Sequence, residues 1–283
     1  MIDFHTYPAQ IAELIETDPD LPGAIADVFG LYMGPQPLAT YLGHLDEAGI
    51  TQAVALPLDC RSAHGTTVFS NEQIASLMER TDRVIGFASV DPNRADAAEQ
   101  LVRDAEEYGL RGLNLDPALQ RFDLTDRDLA YPVYAAAAEL GIPMMVRCGI
   151  NWAPKGLSSL GRPLLLEQVV HDFPELPLVI PQLGWPWVDD AIMLAVKHRN
   201  VYLDTSVIFS GTPTESLRHV VETRIGRELF DRSIPRQVLF GSSYPRVDPK
   251  RAAWAVGELG LRPKLERRIF HDNAAALLFK EAN

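Results

Sequence analysis

GLNLDPALQRFDLTDRDLAYPVYAAAAELGIPMMVRC, residues 112–148, holds two apolar runs on either side of a stretch with helical spacing. GLNLD (112–116) and PMMVRC (143–148) are apolar runs of strand length. Between them, LAYPVYAAAAELG (129–141) repeats apolar residues at helical spacing and closes on Gly141. Strand, helix, strand is the unit of a parallel α/β sheet. The same alternation runs outward in both directions. Further strands are predicted at 2–5, 52–58, 84–90, 176–182, 201–206 and 237–243. Helices are predicted at 38–49, 71–80, 95–109, 163–173, 188–199, 216–230 and 250–260. Eight strands, each followed by helix, predict an α/β fold of the (β/α)8 TIM-barrel type, as a single domain over residues 1–283. A doubly wound open sheet would carry a Gly-rich phosphate turn after an early strand, and none is present. Residues 8–37, rich in Pro and Gly, are too long for a simple βα connection. They are expected to cap the barrel mouth or to join an oligomer contact.

Composition narrows the function. The net charge of −12 over 283 residues leaves no basic stripe for nucleic acid, although an anionic substrate would need only one or two well-placed arginines. No apolar run approaches the length of a membrane span, and the N-terminus lacks the charged start and apolar stretch of a signal peptide. Two cysteines, Cys60 and Cys148, give no disulfide framework, so a reducing cytoplasmic setting is expected.

GFASVDP (86–92), GLRGLNLDP (109–117), DFPELPLVIPQLGWPW (172–187), VYLDTS (201–206), LFGSSYP (239–245) and HDNAAALL (271–278) together resemble the amidohydrolase-related proteins, the amidohydrolase 2 or decarboxylase branch of the amidohydrolase superfamily. The resemblance runs from the first strand to the last helix. It implies a barrel whose mouth holds a divalent metal on an HxH pair of strand one, one His each on strands five and six, and an Asp on strand eight. It also implies a homodimer. At those places this chain has His5 and Tyr7, Arg147, Gln182 and Ser243. A guanidinium keeps its proton at workable pH and repels a cation, so no metal is expected; were one bound, it would be zinc or manganese at His5.

Strand ends carry the chemistry of such barrels. The expected site therefore has His5, Tyr7, Asp59 and Asp116 as catalytic groups. Arg147, Asn114, Gln182, Ser243, Arg246 and Trp185 are expected to bind a small carboxylated substrate. Arg147 substitutes for the metal's charge, with Asp116 on the adjacent strand as its internal partner. Hydrolase or carboxy-lyase chemistry on a cyclic or aromatic acid is the activity the resemblance implies. Two alternatives stand beside it: a non-catalytic barrel that binds a ligand or supports a partner enzyme, and a metal enzyme with rearranged ligands. Plain structural roles are also open, with His5 as a bonded core residue, Arg147–Asp116 as an ion pair and Asp204 as a loop brace. Phe29 and Tyr32 are expected to wall an apolar pocket with Trp185 and Trp187. Cys148 is expected to face the helices as an inert thiol.

Overall fold

GLNLD and PMMVRC do lie side by side in parallel, with Leu113, Asn114 and Leu115 opposite Met144, Met145 and Val146. The computed structural model describes residues 1–9 and 11–279, and in it this pair belongs to a ring of eight strands. They are β1 (Ile2–Thr6), β2 (Gln52–Ala55), β3 (Val84–Gly86), β4 (Leu113–Leu115), β5 (Met144–Val146), β6 (Leu178–Ile180), β7 (Val201–Asp204) and β8 (Val238–Leu239). Neighbours pair in chain order, β1 to β2 to β3 and β4 through to β8. Two seams join these groups. Ala88 N donates to Gly112 O at 2.7 Å, and Asn114 N to Ala88 O at 2.7 Å. On the other side Phe4 N donates to Phe240 O at 2.8 Å and Ser243 N to His5 O at 2.9 Å, which completes the (β/α)8 barrel.

The ladders are shorter than the apolar runs. The run at 52–58 leaves the ring at Ala55, because Pro57 brings no N–H to a ladder. Leu58–Cys60 instead pairs antiparallel with Thr66–Val68, around the short helix Arg61–His64. The outer helices fall where the apolar spacing put them, among them Leu38–Ala48, Asn71–Arg80, Ala97–Tyr108, Ala130–Glu139 and Val188–Lys197. Their inward stripes, for example Leu45, Leu77, Leu101 and Val133, are fully buried against the barrel. Among the described residues no helix is long and apolar enough to cross a membrane.

The 8–37 segment forms short helical turns, Ala12–Ile15, Leu21–Ala24 and Ile25–Phe29, and then runs extended to Leu38. Phe29 meets the Tyr7 ring edge-on at 5.1 Å, which sets this part of the insert on the mouth. The expectation for Tyr32 is corrected: the chain turns outward at Gly30 (φ 64°), and Tyr32 is 85% exposed rather than part of a pocket wall.

Candidate active site

Four strand ends deliver the site. β1 supplies His5 and, just beyond it, Tyr7; β4 is followed by Asp116, β5 by Arg147, and β7 ends on Asp204. Arg147 stands at the centre. Its Nη2 donates to His5 Nε2 at 3.0 Å and to the Tyr7 hydroxyl at 2.7 Å, while its Nε lies 3.6 Å from Asp116 Oδ2. A guanidinium can only donate, so His5 Nε2 is the acceptor and the ring proton sits on Nδ1. That proton goes to Asp204 Oδ2 at 2.8 Å. Burial lowers the His5 pKa against the pull of Asp204, with Arg147 adding to the drop, so the imidazole is neutral.

Asp204, expected above as a loop brace, also anchors this chain of bonds. Burial works against its charge, but His5, Ser206 and the Gln182 amide hold its pKa below the usual carboxylate value. Its Oδ1 accepts from Gln182 N at 2.8 Å and Ser206 N at 2.9 Å, so it braces two loops as well as His5. Only a residue without a side chain fits behind the pair. A Cβ on Gly241 would lie 2.9 Å from His5 Cβ and 3.1 Å from Asp204 Cγ. Gly241→Ala should therefore lower stability by about 1–3 kcal/mol. The check is the urea midpoint, which should fall with an unchanged m-value.

Above Arg147 opens a slot lined by Tyr7, Phe29, Asp116, Arg147, Trp152 and Arg246. It is narrow, with about 20 Å³ admitting the centre of a water molecule inside about 330 Å³ of atom-free space that reaches solvent. Burial raises the Asp116 pKa most, while Arg147, the Leu119 amide and Asn151 work in the other direction. Burial likewise raises Tyr7, whose phenol keeps its proton. Arg246 donates Nη2 to the Phe29 carbonyl at 2.8 Å and has no carboxylate partner among the described residues. Burial and the nearby Arg147 charge both weaken its hold on its proton.

The remaining expected residues are spread more widely. Asn114 is buried below the slot and donates Nδ2 to Pro57 O at 2.7 Å, leaving Oδ1 without a partner. Gln182 Nε2 and Ser243 Oγ are also buried without partners, each on a backbone with positive φ (59° and 60°). None of these three lines the slot. Asp59 pairs with Arg61 at the hairpin and faces a separate cleft. Trp185 stands a layer back, stacked between Trp152 at 6.4 Å and Phe209 at 4.6 Å. Cys148 is fully buried, and burial pushes its thiol well above the ordinary value. Ser206, Asn151 and Trp152 were not among the expected residues. The spacing in YLDTS, which places Ser206 two residues after Asp204, was the available signal for Ser206.

A divalent metal does not fit these residues. The one imidazole at the centre gives its free nitrogen to a cationic N–H, and Arg147 fills the space beside it. Among the described residues no group of three or more His, Cys, Asp or Glu is arranged to hold a metal ion.

A barrel with its polar constellation at the C-terminal strand ends is the class of protein this geometry defines. A model of the amidohydrolase family, Amidohydro_2, matches residues 2–280, and the chain belongs to that family. No curated protein matches it in sequence. Its fold is similar to an uncharacterized TIM-barrel protein from Bordetella bronchiseptica, at 24% identity and TM-score 0.74 over 98% of both chains. It is similar also to 5-carboxyvanillate decarboxylase LigW from Sphingomonas paucimobilis, at 16% identity and TM-score 0.64 over 98% of both chains. A third similar structure is a probable 2-pyrone-4,6-dicarboxylic acid hydrolase from Acinetobacter baumannii, at 14% identity and TM-score 0.66 over 98% of both chains.

Proposed function

We propose that this protein is a hydrolase or carboxy-lyase that acts on a small cyclic or aromatic carboxylated substrate, and that it does so without a metal. The contact of Arg147 Nη2 with His5 Nε2 carries this reading. It places a fixed positive charge at the centre of the mouth and uses up the nitrogen a metal would need. The names of the similar structures, a decarboxylase of 5-carboxyvanillate and a probable hydrolase of a dicarboxylic acid, support the substrate class.

Roles follow from the donors and charges. Arg246, without an acidic partner, and Arg147 take the substrate carboxylate together, while Phe29 and Trp152 face an apolar ring. Arg147 stabilises the negative charge that develops on an attacked carbonyl oxygen or on the carbon that loses CO2. Asp116 is the carboxyl group lining the slot and moves the proton, with the Tyr7 hydroxyl as a second donor. His5 and Asp204 lie behind Arg147 and hold it in place. The narrowness of the slot is the observation on the side of a non-catalytic barrel, since a ring enters only if the rim gives way.

Elemental analysis decides the metal question. Protein purified without chelator, and again after loading with zinc or manganese, should carry far less than one metal per chain. The same preparations should gain thermal stability with carboxylated ligands such as benzoate, with or without EDTA. Close to one metal per chain, bound at His5, would return the protein to metal-dependent chemistry.

A further inference from the structure

Asp116 receives an unusual partner from the loop that follows β5. Asn151 Nδ2 lies 3.0 Å from Asp116 Oδ1 and 2.8 Å from Oδ2, so one amide group covers both carboxylate oxygens. The amide is itself held. Asn151 Oδ1 accepts from Ala153 N at 2.9 Å, and Gly156 N closes the turn onto Ala153 O at 2.9 Å. A Cβ on Gly156 would lie 2.7 Å from Asn151 Cγ and 3.0 Å from its Oδ1, so the glycine is what lets the amide sit there. The carboxylate has a second fixed donor, Leu119 N at 3.0 Å, as the cap of the short helix Pro117–Gln120.

We infer that Asn151 is the positioning residue that keeps the Asp116 carboxylate ionised and aimed along the Arg147 guanidinium, and that the 151–156 turn serves to place it. This deepens the reading above, on which Asp116 moves the proton. Hydrogen bonds to the charged form of a carboxyl favour that form. The other groups facing Asp116 are Arg147 beyond β5, Tyr7 beyond β1 and Arg246 across the slot. Cys148 and Cys60 are buried and feel its charge, and His64 sits on the helix packed against 117–120. With these left unchanged, losing the amide shifts the balance toward the protonated acid.

The test is a carboxyl-carbon NMR titration of the full chain, with the Asp116 resonance assigned by its loss in Asp116→Asn. Asn151→Leu fills much the same volume without a donor and should raise the apparent Asp116 pKa by about one unit or more. Gly156→Ala touches no group on the carboxylate, yet it should shift the same resonance in the same direction by less. The Asp3 resonance should stay where it is in both. An Asp116 titration that does not move in either folded variant, with only the melting temperature lowered, overturns the inference and leaves Asn151 as a loop brace. If Asn151→Leu fails to fold, Gly156→Ala decides alone. The titration needs no substrate, so an Asp116 shift without turnover would sink the proposed reaction and leave the positioning role standing.

Discussion

Arg147→Ala should destabilise the fold by about 3–5 kcal/mol and abolish the thermal shift given by carboxylated ligands. Removing the guanidinium strands its partners: His5 Nε2 and the Tyr7 hydroxyl lose a donor, and Asp116 loses its neighbouring cation. All four side chains are buried, and water entering the emptied space from the slot replaces some of the bonds but not the charge. Urea unfolding measures the first effect and melting with and without benzoate the second. A variant that loses stability but keeps the full benzoate shift would mark Arg147 as a structural ion-pair member and nothing more. Arg147→Lys should not rescue the site, because a single ammonium cannot serve His5, Tyr7 and Asp116 with the guanidinium's planar set of donors.

Asp3→Asn should remove a pH dependence that the wild type carries. Asp3 lies beneath His5, with Oδ1 accepting from His5 N at 3.1 Å and Ser242 N at 2.9 Å while Oδ2 has no partner. Burial raises its pKa to about 7. In the unfolded chain the same carboxyl titrates near ~4. Between those two values the native state keeps a proton that the unfolded state has released, so stability falls as pH rises. At about 1.4 kcal/mol per unit, the loss is on the order of 4 kcal/mol, complete above about pH 7 and absent below about pH 4. Asparagine does not titrate. The variant should therefore gain on the wild type from about pH 4 to about pH 7 and hold level above that, whatever constant offset its amide brings. Parallel curves for the two proteins across that range would show that Asp3 is already ionised in the fold.

The barrel was readable because its two periodicities are plain: apolar runs of strand length, and helices closed by Gly, as at Gly49 and Gly109. The convergence of Tyr7, Asp116, Arg147 and Arg246 was readable for a related reason, since parallel strands in chain order put their last residues on one rim. What remained hidden depends on contacts between strand ends far apart in the chain. Nothing local says that Asp204 meets His5, which lies 199 residues away. Asp59 illustrates the opposite failure. It follows a strand-like run, but Pro57 turns that run out of the ring, and the carboxylate lands on Arg61. Asn151 sits in a loop without periodicity, and its role rests on a glycine five residues on.

The guanidinium between His5, Tyr7 and Asp116 has a consequence for how the site comes into being. A bound ion is recruited after or during folding, at an occupancy set by supply and affinity. This positive charge is delivered by the ribosome, once per chain, and no chelator or competing ion can exchange it. It carries no dissociation constant, only a folding free energy. The site becomes charged when β1, β4, β5 and β7 close around Arg147, so a correctly folded chain and a fully charged site are the same molecule.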